Sequence, residues 1–181
     1  IIYYVMNIFF YLLNQLGTNG PFILFFLSIF LLWNKQYLLF YYIIGFFFNA
    51  ILNLIIKGII KQPRPSEDIK IFNLALSNGK RFIFKNGIPH DIFGMPSGHS
   101  QSSLFSTIFI FLSIKKFNVL YFYLLFSLLI MIQRIVFNFH TGFQCIIGAL
   151  IGTCFAYLMY KIARSSITGK INMKFDDFAI N

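Results

Sequence analysis

The sequence predicts an all-α fold, a polytopic bundle of about six helices embedded in a membrane. Three observations predict it. Hydrophobic residues make up 58% of the 181 residues and charged residues only 11%, against about a quarter charged in an average soluble domain. The mean hydropathy is +0.75, so there is too little polar surface to cover the protein in water. The apolar residues also run continuously rather than alternating as barrel strands do, and a helix satisfies its own backbone in lipid. The length suits one domain, residues 1–181.

A spanning helix takes about 20 mostly apolar residues. Ile1–Leu16 is the first candidate and is short; it has neither the basic start nor the small-residue cleavage site of a signal peptide. Leu16–Gly20, LGTNG, reads as a turn from its Gly and Asn content. Pro21–Trp33 follows, with Pro at a favoured helix-start position, and is short enough to require tilt or a thinned bilayer. Tyr37–Ile60 is long enough to span, and the polar stretch Lys61–Phe93 comes next. Within it, Ser66–Phe93 is long for a connection without a function. Its apolar piece IFNLAL, Ile71–Leu76, reads as an interfacial helix lying over the bundle end like a lid. Ser97–Ile114, Asn118–Phe139 and Gly142–Ile162 are the remaining spans, and the tail Ala163–Asn181 reads as polar and loose. Cys145 and Cys154 share the last span about two and a half turns apart, too far for a disulfide, and read as small packing residues.

The net charge of +10, from 15 basic and 5 acidic residues, sits mostly between the apolar runs. That placement points to lipid headgroup phosphates rather than to nucleic acid, for which no basic readable face exists. Lys35, Lys115, Lys116 and a tail with Lys161, Arg164, Lys170 and Lys174 share one face, which the positive-inside rule makes cytoplasmic. The other face is also basic, through Lys61, Arg64, Lys70, Lys80, Arg81 and Lys85.

Two cations lie inside apolar runs, Lys57 in NLIIKGII and Arg134 in MIQRIVF. Each costs about 2.5–3.5 kcal/mol on insertion scales at a helix centre. Snorkelling to the interface explains either one alone. Counting crossings adds more: Lys57, Arg64, Ser97, Gly98, His99, Arg134 and His140 all fall at one face. Arg offers a planar fork to phosphate oxygens and Lys a compact charge. PSGH opens a helix, with Ser97 as its cap, free first-turn N–H groups, and Gly98 admitting an anion close to the backbone. Two imidazoles beside such a site suit phosphoryl transfer, one attacking phosphorus and one protonating the leaving oxygen. A metal would need further ligands at suitable spacing, and His90-Asp91 near His99 form no such pattern. They suit contact with a diphosphate or a solvated loop, the loop being favoured, and no metal or cofactor is expected.

Lys57-x6-Arg64-Pro65, Pro96-Ser97-Gly98-His99 and Arg134-x5-His140 together resemble the three signature motifs of the type-2 phosphatidic acid phosphatase superfamily, which includes the vanadium haloperoxidases. The resemblance covers roughly residues 37–162, the implied catalytic core. It implies that His140 is the nucleophile, His99 the general acid and then base, and that Lys57, Arg64, Arg134, Ser97 and the Gly98 N–H hold the phosphoryl oxygens without metal. The third motif departs from the usual pattern: Gln133 precedes Arg134 where Ser is usual, and Gln144 stands where Asp accepts from the nucleophilic imidazole. A Gln carbonyl can accept the same bond. GMPSGHSQ with HTGFQ is closest in form to the dolichyl (polyprenyl) diphosphatase branch. The substrate implied is a lipid phosphate or diphosphate, with the site on the non-cytoplasmic face, the endoplasmic reticulum lumen or cell exterior. The two Gln residues leave open an alternative, a catalytically silent lipid-phosphate binder or flippase-type protein on the same scaffold.

Other residues carry weaker signals. Gln101 suits the site or a helix surface, and Thr141 a cap for the last helix. Lys80, Arg81 and Lys85 suit headgroup attraction or a hydrated loop. Lys61, a turn beyond Lys57, adds field strength, and the 26 Phe residues read as lipid-facing bulk.

Overall fold

The computed structural model describes residues 2–85 and 87–168. The element order is α1 (Ile2–Leu31), α2 (Gln36–Ile60), α3 (Ile69–Ser77), β1 (Phe82–Lys85), β2 (Ile88–Asp91), α4 (Gly98–Ile114), α5 (Phe117–Val136) and α6 (Gly142–Thr168). Among the described residues, four helices are long and apolar enough to cross a membrane: Asn7–Leu31 within α1, α2, α5, and Gly142–Ser166 within α6. The fold is therefore an all-α, multi-pass membrane bundle. Its outer surface carries Phe26, Phe30, Phe40, Phe47, Ile55, Leu125 and Leu150, all exposed.

The first two predicted spans are one helix. LGTNG is not a turn: it lies inside α1, and Pro21 is an interior residue. A Cβ on Gly17 would collide with the Gln133 side chain, and one on Gly20 would meet Ile130 at 2.5 Å. These glycines let α1 approach α5, as small residues do between membrane helices. Ser28 Oγ lies 3.1 Å from Tyr123 Oη further along the same seam. The six predicted spans thus become five long helices, α1, α2, α4, α5 and α6. The start of α1 lies at the same bundle end as the Arg134 end of α5, with Asn14 and Gly17 against Gln133.

α4 is the central helix, packed against α1, α2, α5 and α6. At 17 residues it rises only about 26 Å, and it is enclosed by protein rather than lipid. Its buried face is accordingly polar: Ser100, Gln101, Ser103, Ser106, Thr107 and Ser113 are fully buried. Each finds a partner, as buried polar groups must. Thr107 Oγ1 donates to Ser103 O at 2.8 Å and meets Ser127 Oγ at 2.9 Å. Ser106 Oγ meets Tyr42 Oη at 2.8 Å. Gly148 and Gly152 of α6 lie directly against the Ser97 and Gln101 carbonyls, where a Cβ would overlap backbone.

The segment between α2 and α4 holds the predicted interfacial helix and a hairpin that sequence analysis missed. α3 is capped by Asp68, whose carboxylate accepts from the Lys70 and Ile71 N–H groups at 2.7 and 3.2 Å. Its buried Phe72 and Ala75 pack on Ile92 and Phe93. β1 and β2 pair antiparallel from Phe82↔Asp91 to Lys85↔Ile88. Of the tail predicted to be loose, Ala163–Thr168 continues α6; Lys170 and Lys174 lie outside the described residues.

Candidate active site

Arg134 lies in the last turn of α5. The chain then reverses through Asn138, a residue type that tolerates the left-handed φ of 54° found there. The Arg134 carbonyl accepts from both the Phe139 and His140 N–H groups, at 2.9 and 3.1 Å. The five-residue spacing of Arg134 and His140 is thus closed into one turn. The Arg134 guanidinium lies over the Phe139 ring, 4.1 Å from its centroid. Its Nε is buried and has no hydrogen-bond partner among the described residues, an unmet cationic donor that fits an anion.

Thr141 caps α6 as predicted, its Oγ1 accepting from Gln144 N at 3.2 Å. Gln144, one turn into that helix, is the pivot of the site. Its Nε2 donates to Pro63 O at 3.0 Å and to Gln62 Oε1 at 3.2 Å. A carbonyl can only accept, so the amide orientation is fixed. Its Oε1 then accepts from His140 Nδ1 at 3.1 Å and from Thr141 N at 3.3 Å. His140 consequently carries its proton on Nδ1 and keeps a lone pair on Nε2. That Nε2 lies 3.4 Å from Arg64 Nη1. Burial, followed by the charges of Arg64, Lys57 and Arg134, outweighs the Gln144 bond and lowers the His140 pKa to about 2. The imidazole is neutral in the free protein across the physiological range.

The PSGH loop docks on the same residue: Ser97 N donates to Gln144 O at 3.0 Å. Ser97 is buried and caps α4, its Oγ accepting from Ser100 N. Pro96 O accepts from Asn53 Nδ2 at 3.3 Å, and Asn53 Nδ2 also donates to Gln101 Oε1 at 2.8 Å. Gln101 Nε2 in turn reaches Asn49 O and Oδ1, both at 2.9 Å. Gln101 is therefore neither a direct site residue nor a surface one; it braces the loop from the core. Gly94 is equally constrained, because a Cβ there would meet Gln144 Nε2 at 2.8 Å and Pro63 O at 2.9 Å.

Lys57 is buried in the last turn of α2 and donates to Phe93 O at 2.9 Å. Arg64 Nε donates to Asp91 O at 2.9 Å. Asp91 is not the solvated residue the sequence predicts: it lies 3.6 Å from Lys57 Nζ and takes a two-pronged bond from Arg81 at 3.2 and 3.0 Å. Burial pushes its carboxyl upward, but the Arg81 bond and the Lys57 charge outweigh burial and hold it below the usual range. Arg81 is thus tied to the loop and not simply a hydrated cation, and its Nη1 also donates to Leu54 O at 2.9 Å. Lys61 is exposed at the left-handed end of α2. His90 approaches Glu67 at 4.0 Å.

His99, in the first turn of α4, places Nε2 3.2 Å from the Thr18 carbonyl of α1. A carbonyl acceptor puts the proton on Nε2 and leaves Nδ1 as the exchangeable position. The charges of Arg134, Arg64 and Lys57 act on both His99 and His140. The geometry thus gathers Lys57, Arg64, Ser97, Gly98, His99, Arg134, His140 and Gln144 at one end of the bundle. Among the described residues, no group of three or more His, Cys, Asp and Glu side chains could hold a metal.

A family model described as the PAP2 superfamily matches residues 36–167. The chain belongs to the PAP2 superfamily. This supports a phosphoric-ester hydrolase on a multi-pass membrane scaffold. No curated protein matches the chain, and no solved structure does either. The PAP2 match begins with α2 and leaves out α1, although α1 supplies the carbonyl that meets His99. Sequence reasoning missed the roles of Asn49, Asn53, Asp91 and Gly94. Only the polar residues within the apolar run of α2 gave a signal, as Asn49, Asn53 and Lys57 recur every four residues on one helix face.

Proposed function

We propose that the chain is an integral membrane lipid-phosphate phosphatase that hydrolyses a polyprenyl or other lipid (di)phosphate through a phosphohistidine on His140. One observation carries this reading: the Gln144 amide, fixed by Pro63 and Gln62, holds the His140 tautomer whose free Nε2 faces the cation cluster. A neutral Gln does here the orienting work of the usual Asp, which favours an active enzyme over a silent binder.

In the first half-reaction His140 Nε2 attacks phosphorus. The bond from phosphorus to the leaving oxygen breaks, and protonated His99 gives its Nδ1 proton to that oxygen. In the second, neutral His99 takes a proton from water as the water oxygen attacks phosphorus. The N–P bond breaks, His140 is regenerated and inorganic phosphate leaves. Lys57, Arg64 and Arg134 hold the non-bridging oxygens, with the Ser97 hydroxyl and the Gly98 N–H, and they stabilise charge where it is greatest in the transition state. No metal or cofactor enters the scheme.

The protein is one domain, with residues 37–162 as its core. The substrate tail lies in the bilayer and the headgroup at the non-cytoplasmic face, opposite Lys35, Lys115 and Lys116. α3 covers this end as a lid. A phosphate-release panel without added metal tests the proposal. Polyprenyl diphosphate and phosphatidic acid are expected to release phosphate faster than a soluble phosphomonoester, with the His140→Ala protein as blank. Release from none of them, or equal release by His140→Ala, would overturn it.

A further inference from the structure

A cleft of about 360 Å³ opens between α1 and α2. Its lining is apolar at Phe22 from α1 and at Phe47, Ala50 and Leu54 from α2, and it also includes Asn53, Gly98 and His99. Phe22 and Phe47 are 60% and 59% exposed, and they stand between two spans where the surroundings are hydrocarbon. The cleft thus joins the bilayer to the two residues that, in the proposed reaction, contact the phosphoryl group and protonate the leaving oxygen. That oxygen is on the lipid side of the broken bond, so the leaving group starts beside His99: the chain itself for a monophosphate, the chain with one phosphate for a diphosphate. A comparable cleft of about 340 Å³, lined by Leu150 and Cys154, touches none of the site residues.

We infer that the α1–α2 cleft seats one hydrocarbon chain of the lipid (di)phosphate. The inference rests on the function proposed above. The volume lies at the small end of the roughly 300–1,000 Å³ found for ligand pockets, which suits one chain. The wall from α1, Pro21 and Phe22, lies outside the family match at residues 36–167, and the rest of the lining lies inside it.

The test uses a polyprenyl diphosphate carrying a diazirine in its chain, with His140→Ala protein in phosphatidylcholine vesicles. After irradiation, labels mapped by mass spectrometry are expected on Phe22, Phe47 or Ala50. Excess unlabelled polyprenyl diphosphate should reduce them at least tenfold, and extra phosphatidylcholine should not. Labels that resist this competition, or that fall equally on Leu150 and Cys154, mean bulk lipid only and overturn the inference. A second arm uses Ala50→Trp, which fills the cleft from an exposed position. It should lower kcat/KM for the long-chain substrate at least tenfold and for a water-soluble phosphomonoester less than twofold. An equal fall for both substrates, or none, refutes the assignment. A wild-type protein that releases no phosphate yet shows competed labelling in the cleft would end the catalytic reading and leave the binding site standing.

Discussion

Replacing Gln144 by Met keeps the side-chain length and removes both ends of its hydrogen bonding. Two separate losses follow. His140 Nδ1 loses its acceptor at 3.1 Å, and nothing then selects the tautomer with Nε2 free. Loss of the residue that fixes a catalytic imidazole costs on the order of 10⁴ in kcat in serine proteases. There the partner is charged, so for a neutral amide we expect about 10³, or roughly 4 kcal/mol of transition-state stabilisation. Independently, Pro63 O loses its donor at 3.0 Å in a part-buried bond, which costs at most the roughly 1–3 kcal/mol of a fully buried unsatisfied carbonyl. Gln144→Glu separates the two. It restores an acceptor for His140 but faces Pro63 O with a carboxylate, so kcat should recover to within about tenfold of wild type while stability stays reduced. The assay is initial-rate phosphate release beside thermal unfolding in the same detergent. A folded Gln144→Met protein with kcat within threefold of wild type would refute the reasoning.

Four further predictions follow from the same geometry. Gly94→Ala drives a methyl into Gln144 and Pro63; it should cost about 1–3 kcal/mol and at least tenfold in kcat, whereas a wild-type melting curve and rate would show that the loop yields freely. Arg134→Lys keeps the charge but loses the planar stack on Phe139 and should lower kcat/KM about 10²-fold; equal kinetics would mean Arg134 acts only as a point charge. His140 titrates near 2 when folded and near 6.5 when unfolded. Between those values the unfolded chain binds the extra proton, so stability falls as pH drops below about 6.5, by up to about 1.4 kcal/mol per unit. His140→Gln should flatten that slope in denaturation series from pH 7 to 5, and an unchanged slope would contradict the assignment. Deleting Ile71–Leu76 removes Phe72 from Phe93, whose carbonyl holds Lys57; activity or chain preference should change, and unaltered kinetics would dismiss the lid.

Composition and motif spacing carried much of this structure because both act through local rules. Lys57 and Arg134 were legible because cations rarely sit in apolar runs without a partner, and counting crossings places Arg64, His99 and His140 at the same end. LGTNG was misread because Gly and Asn are turn residues only where no neighbouring helix needs their small size. In α1 the glycines serve the approach of α5, a tertiary fact with no local signature. The hairpin and Asp91 were hidden for a related reason: β1 and β2 are four residues each, too short for alternation to show, and the value of Asp91 depends on Arg81 and Lys57 converging from elsewhere. Gln101 looked ambiguous because its partners, Asn49 and Asn53, lie some fifty residues away.

The central claim is that His140 bonds directly to phosphorus. The most direct measurement is a rapid quench of the protein with lipid substrate labelled in the transferred phosphate, followed by digestion and mapping of any acid-labile, base-stable label. The account predicts label on His140 and its loss in His140→Gln. Steady phosphate release with no trapped label on His140, or undiminished turnover by His140→Gln, would contradict it.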